Sequence, residues 1–108
     1  MAVRDLQKVS SAPAGKAVFL WETLAAGDTG APLYLNGASG ILAAVQTMGT
    51  FGGTVTMEVT VDGTTWVATD KTFTAAGLQE LNTAAAAVRP SAGTGVSDVD
   101  VYIAVSRG

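Results

Sequence analysis

The chain has 108 residues, 48% of them apolar and 14% charged, with a formal net charge of −3 and neither cysteine nor histidine. This length predicts one domain, and the six scattered cations do not predict a nucleic-acid surface, which needs clustered positive charge. Without histidine and cysteine the chain lacks the commonest ligands of zinc, copper and iron, and no Ser-His or Cys-His catalytic pair can form.

The charged fraction is well below the ~25% typical of soluble domains. A weakly charged surface favours association, so this composition is suited to a subunit that hides surface in an assembly. No stretch approaches the ~18 apolar residues of a membrane span. The polar N-terminus, with Arg4, Asp5 and Lys8, does not read as a secretion signal.

The elements in chain order begin with residues 1–16, a polar stretch with Pro13 and Gly15 that predicts an extended arm preceding one domain over residues 17–108. "AVFLWETL" (17–24) alternates with apolar residues on both faces, which suits a strand between a core and a neighbour. "LYLNG" (33–37) and "ILAAVQTM" (41–48) predict two further strands.

The next stretch, "TMEVTVDGTTWVATD" (56–70), predicts a hairpin because an alternating run meets an Asp-Gly pair. Val55, Met57, Val59 and Val61 form its core face. A two-residue turn places Val59 opposite Trp66, and opposed residues share a face, so Trp66 is predicted in the core rather than on a ligand-binding surface. A four-residue loop gives the same placement, and only a three-residue loop turns the ring outward.

The C-terminal third predicts more strands. "TFTAAGLQELNT" follows the hairpin, and "AAAAVRPSAGTG" is assigned to strand because four alanines are too few for a helix and Pro90 disfavours helical Arg89. "VSDVDVYIAVSR" (96–107) alternates clearly, with Val99 and Val101 inward and Tyr102 outward. About eight short strands predict an all-β fold, an antiparallel β-sandwich of jelly-roll-like form.

The side chains that could support chemistry do not form a recognisable site. Asp98 and Asp100 share a strand face, and the other carboxylates considered are Glu22, Glu58 and Glu80. These groups are predicted to be solvated charges, since calcium needs six or more oxygen ligands and no loop concentrates them. Arg89 is either an intermolecular anchor or a strand-edge cation. The sequence predicts no enzyme, no cofactor and no metal.

The motifs "GTFGG", "DGTTWV", "FTAAG", an Arg-Pro strand and a "GTG" loop, from about Gly37 to the end, resemble a group of small tailed-bacteriophage virion proteins. That resemblance implies a capsid decoration (cement) protein. The expected partner is the major capsid protein, and the expected location is the capsid surface of a virion that is assembled in the host cytoplasm. The protein is expected to form a homo-oligomer, either a dimer or a trimer. Met1–Lys16 is then expected to be disordered in the free protein and ordered on the particle. No binding residue can be carried over.

Two alternatives remain open. The first is another virion component on the same fold: a head–tail adaptor, a tail component or a fibre domain. The second is a carbohydrate-binding module, which needs two or three exposed aromatic side chains on one strand face. The candidates are Trp21, Tyr34, Trp66 and Tyr102. No nucleic-acid or membrane partner is predicted.

Overall fold

The computed structural model describes residues 3–8, 17–34, 41–81 and 85–107, and all regular structure within these ranges is β-strand. The predicted all-β fold is therefore confirmed. The strands are β1 (Val3–Arg4), β2 (Leu6–Lys8), β3 (Ala17–Leu24), β4 (Thr29–Gly30), β5 (Leu33–Tyr34), β6 (Ile41–Thr50), β7 (Val55–Thr60), β8 (Val67–Phe73), β9 (Gly77–Glu80), β10 (Ala87–Ala92) and β11 (Asp98–Arg107).

The strands form two sheets that pack as a sandwich. The first sheet has the order β1-β4-β10-β7-β8, with β5 also paired to β10, and the second has the order β2-β3-β11-β6-β9. Neighbours are antiparallel apart from β1 and β4, which are parallel. The predicted antiparallel sandwich is confirmed. It has more strands than expected because several are only two or three residues long.

The chain passes from one sheet to the other at both sides of the sandwich. At one side only Asp5 separates β1 from β2, and at the other a short connection joins β8 to β9. The side-chain amide of Gln79 donates a hydrogen bond to the backbone carbonyl of Thr72 across this second crossing. At each side of the sandwich, the edge strands of the two sheets are therefore consecutive in the chain.

The first residues of the predicted arm pair with the sandwich. Val3 and Arg4 pair with Thr29 and Gly30, and β2 pairs with β3. The Arg4 guanidinium binds the buried carboxylate of Asp28 at 2.9 Å. Residues 9–16 lie outside the described part, so the division into an arm and a domain stays a prediction.

The core lies between the sheets and confirms the predicted inward faces of β11 and of Val55, Met57 and Val59 on β7, whereas Val61, also predicted inward, is exposed. Trp21 is fully buried, and its indole N–H donates to the carbonyl of Ala31 at 2.9 Å, so burial leaves no unpaired donor on the ring. The other buried apolar residues of this cluster are Leu24, Leu33, Ala43, Val45, Val55, Met57, Phe73, Leu81, Val88, Ala92, Val96, Val99, Val101 and Ile103.

Two glycine-containing loops meet at one end of the sandwich. A Cβ atom added to Gly52 would lie 2.5 Å from the carbonyl oxygen of Gly95, and one added to Gly53 would overlap the carbonyl oxygen of Thr94. Gly95 also has a φ of 92°, which favours glycine. The "GTFGG" and "GTG" motifs are therefore contacts between two backbones.

Candidate interaction site

Asp98 and Asp100, the pair of aspartates considered in the sequence, differ in their contacts. Asp98 is exposed at the start of β11, while a carboxylate oxygen of Asp100 accepts the backbone N–H of Thr23 at 2.9 Å. Thr23 has a φ of 58° and lies where the β3–β11 register shifts. A β-branched residue in this left-handed region is strained, and Asp100 holds the bulge in place. The two carboxylates do not form a catalytic dyad.

The three glutamates are separated from one another. Glu22 accepts a hydrogen bond from the Gln7 amide at 2.6 Å, and Glu80 is exposed on β9. Glu58 pairs with Arg89 across neighbouring strands at 2.8 Å. Each lies on a different strand, and two of the three are engaged in local contacts.

The described ranges contain no group of side chains suited to bind a metal ion. Histidine and cysteine are missing from the whole sequence, and within the described residues no three or more aspartates and glutamates group as metal ligands. The described residues therefore provide no donor set for a metal ion. None of the described residues forms a helix long and apolar enough to cross a membrane.

The prediction that Trp66 lies in the core is wrong. Val59 pairs with Val67 and Glu58 with Ala68, whereas the sequence analysis placed Val59 opposite Trp66. Because side chains alternate along a strand, this one-residue shift puts Trp66 on the outer face of the first sheet. The core tryptophan is Trp21 instead.

The cause of the shift is the turn that follows β7. The Asp62 carboxylate accepts backbone N–H groups from Thr65 at 2.7 Å and Thr64 at 2.9 Å, as well as the Thr60 hydroxyl at 3.1 Å. These bonds wind the chain into a longer turn than the two-residue turn predicted from Asp62-Gly63. The N–H groups of Thr65 and then Thr64 hold the pKa of Asp62 well below its usual range. Asp62 is therefore charged at neutral pH.

On the outer face, Trp66 packs against a charged pair. The guanidinium carbon of Arg89 lies 4.3 Å from the centre of the Trp66 ring, within the range of a cation–π contact. Arg89 also binds Glu58. Of the two roles predicted for Arg89, the strand-edge cation is wrong, because the half-buried side chain lies on β10 in the interior of its sheet. The role of an intermolecular anchor stays a prediction.

The β7–β8 turn carries one exposed apolar region, which we call the hairpin hollow. It is a shallow concavity of about 400 Å³ lined by Val59, Val61, Asp62, Thr65 and Val67. Val61 is 82% exposed and Val67 58% exposed. A charged carboxylate is part of this lining.

The outer side of the second sheet carries a larger region, which we call the apolar face. The residues of this face lie in register on β3, β11, β6 and β9. Leu20, Tyr102, Gln46 and Leu78 form one row, and Val18, Ala104 and Ala44 form the next, which ends at Glu80 on β9. Met48 lies beside these rows, paired with Asp100. Leu78 is 66% exposed and Met48 39% exposed, and the other apolar members are half-buried.

Some residues of the apolar face could be identified from the sequence. Alternation placed apolar residues on both faces of β3 and placed Tyr102 and Ala104 outward on β11. Joining these half-faces into one surface requires the order β3-β11-β6-β9, and strand order does not follow from alternation.

The chain shares its fold with solved structures of cupin-domain proteins. The cupin domain of an XRE-family transcriptional regulator from Enterobacter cloacae matches with a TM-score of 0.55 and 13% identity, over 95% of each chain. An RmlC-like cupin protein from Desulfovibrio desulfuricans matches with a TM-score of 0.50 and 14% identity, over 94% of this chain and 79% of that one.

A third solved structure is of a different kind. It comes from Bacillus endospore appendages, which form a family of disulfide-linked pili, and it matches with a TM-score of 0.50 and 18% identity over 97% of this chain and 91% of that one. No family model matches the chain, and no curated protein matches its sequence. At these identities the likenesses concern the fold.

The resemblance to phage capsid decoration proteins is wrong, because the matching structures are cupin-domain proteins. The physical reason lies in the motifs. "GTFGG" and "GTG" mark a close backbone contact and "DGTTWV" a turn, and these are needs of a β-sandwich rather than of one family. The assignments to a virion fall with that resemblance. The major capsid protein as partner and the virion location stay predictions.

The four candidate aromatic residues do not form the exposed row that a carbohydrate-binding module needs. Trp21 is buried in the core. Tyr34 and Trp66 belong to different segments of the first sheet, while Tyr102 lies on the opposite face of the molecule. Of these four aromatic residues only Tyr34 is exposed, so no pair of exposed rings is available on one face.

Proposed function

We propose that this protein is a non-catalytic structural subunit that associates with copies of itself into a homo-oligomer, a dimer or a trimer. The observation that carries the proposal is the set of large aliphatic side chains left exposed on a surface with few charges. Leu78, Val67 and Val61 are each more than half exposed. Val61 and Val67 lie together in the hairpin hollow and Leu78 lies on the apolar face, and exposed apolar patches mark sites of protein association.

The polar side chains support a structural role. Asp62 closes a turn, Asp100 holds a bulge, and Glu58 and Arg89 join two strands. Asp100, Glu58 and Arg89 were singled out in the sequence, and each of these three holds the backbone or forms a cross-strand pair.

The fold is compatible with a subunit of an assembly. A protein of the Bacillus endospore appendages has it and belongs to a pilus. That likeness concerns the fold alone. It indicates that a pilus protein can have this fold, and it does not carry the proposal.

The test is the mass of the purified protein in solution. Sedimentation velocity over roughly 1–200 µM is expected to show a dimer or a trimer that dissociates on dilution. Light scattering coupled to gel filtration gives the absolute mass. A chain that stays monomeric at the highest concentration contradicts the proposal.

A further inference from the structure

The two exposed apolar regions differ in their capacity to hold a partner. The hairpin hollow is small, and its lining contains the carboxylate of Asp62, whose hydrogen bonds to Thr64 and Thr65 keep it charged. Covering an ionised carboxylate without a counter-charge is costly. No described cation contacts Asp62: the described Lys71 and Arg89 pair with other carboxylates.

The apolar face has an uncharged centre. It is formed by Leu20, Tyr102, Gln46, Ala104 and Ala44, and its polar side-chain groups are the tyrosine hydroxyl and the exposed Gln46 amide. The described acidic side chains of this sheet, Glu22, Glu80 and Asp100, belong to its margin. An uncharged centre with a polar rim is the usual plan of a protein interface.

The size of the apolar face is sufficient for an interface. Strands in a sheet are about 4.8 Å apart and residues facing the same side are about 6.8 Å apart, so four strands and three rows span roughly 20 by 20 Å. Two such surfaces, roughened by their side chains, remove on the order of 1,000 Å² from water, which is about the lower limit for a specific interface.

The β-ladders also make this face well ordered. β11 lies between β3 and β6 and is paired with both over most of its length. A surface that is rigid before binding loses little conformational entropy when a partner covers it. The position of its side chains is therefore fixed in the free subunit.

We infer that the occupant of the apolar face is the same face of a second copy of this chain, so that two sandwiches stack their second sheets face to face. A surface that is uncharged at its centre complements itself, as a two-fold contact requires. Stacked sheets lie about 10 Å apart with their strands within about 30° of each other. This inference rests on the proposed self-association and adds its surface and symmetry.

The first experiment compares two charge insertions of the same kind. Leu20→Lys places an ammonium at the centre of the apolar face, and the matched control Val61→Lys places one at the hairpin hollow. Sedimentation velocity is expected to show that the dimer dissociation constant rises at least tenfold for Leu20→Lys and stays within twofold of wild type for Val61→Lys. An unchanged constant for a folded Leu20→Lys overturns the inference.

The second experiment avoids a disruptive substitution. The chain contains no cysteine, so Ala104→Cys introduces a single thiol near the expected two-fold axis, and Val61→Cys is its control. Mild oxidation is expected to give a covalent dimer of Ala104→Cys in preference to Val61→Cys. The reverse preference overturns the inference. This test stays decisive if Leu20→Lys fails to fold.

The outcomes separate the two proposals. A wild-type chain that is monomeric at all concentrations contradicts self-association itself. A wild-type oligomer that survives Leu20→Lys and dissociates with Val61→Lys supports self-association and refutes the apolar face as its surface. A stable trimer disrupted by Leu20→Lys retains the surface but refutes the two-fold arrangement.

Discussion

The two tryptophans have opposite surroundings, although each belongs to an apolar-rich stretch of sequence. Trp21 is fully buried on β3, with its N–H bonded to the carbonyl of Ala31. Trp66 lies outside the sandwich on the guanidinium of Arg89. The first ring fills the space between the sheets, and the second covers a charged pair. Whether a tryptophan belongs to the core depends on register, and register depends on the turn that precedes it.

This contrast between the two rings predicts a large difference in what each contributes to stability. Trp21→Ala is expected to lower the free energy of unfolding by ~3–5 kcal/mol, as for other buried aromatic residues, because it leaves a cavity and an unpaired carbonyl. Urea unfolding followed by far-UV circular dichroism measures the change. A loss below ~1 kcal/mol would place the ring at the surface and contradict the core described here.

The surroundings of Trp21 can also be disturbed without altering the ring. A Cβ atom at Gly30 would lie 2.5 Å from Cδ1 of Trp21 and 2.5 Å from Cδ of Pro90. Gly30→Ala is therefore expected to cost ~1–3 kcal/mol through overpacking. The matched control is Gly63→Ala, which meets no atom within 4 Å but carries a φ of 88° and so tests backbone strain separately. Equal stability of Gly30→Ala and wild type contradicts the close contact.

Truncation of the outer ring sharpens the comparison. Trp66→Ala is expected to cost about 1–2 kcal/mol, since the half-buried ring loses its packing and its contact with Arg89 while the core remains filled. The measurement is the same urea titration, performed beside Trp21→Ala. A loss as large as that of Trp21→Ala would restore the core position that the sequence predicted.

The contact between Trp66 and Arg89 can be isolated in a double-mutant cycle. Trp66→Leu, Arg89→Met and the double variant are expected to give a coupling free energy of ~0.5–1 kcal/mol. A parallel cycle with Glu58→Gln and Arg89→Met separates the ion pair from the ring contact. Zero coupling between Trp66 and Arg89 means that the two side chains do not interact in solution.

The turn that sets the register predicts a pH dependence. The pKa of Asp62 is lower in the folded chain than in the unfolded one, so its stabilising effect is present above about pH 4 and declines as the pH falls toward the folded value. Asp62→Asn removes this titration. The difference between the urea midpoints of wild type and Asp62→Asn is expected to be constant from pH 7 to about pH 4 and to shrink as the pH falls below 4. A difference that stays constant below pH 4 contradicts the hydrogen-bonded carboxylate.

Sequence alone predicted the parts of the fold that local chemistry determines. Alternation gave the inward faces of β7 and β11, and the Arg-Pro segment became β10 as expected. It did not predict the position of Trp66, because the Asp62 side chain lengthens the turn by hydrogen bonds that the Asp-Gly pair alone does not reveal. It did not predict the apolar face, because that surface depends on long-range strand order.

The short strands at the sheet margins have a consequence for how the molecule can grow. β1, β2 and β9 have two, three and four residues. β8 is longer but is interrupted by a register shift and carries Asp70 and Lys71. Short, irregular and charged edge strands are poor templates for adding a strand from another molecule. Growth by edge-to-edge pairing is thereby disfavoured, which leaves the faces of the two sheets as the surfaces open to contact.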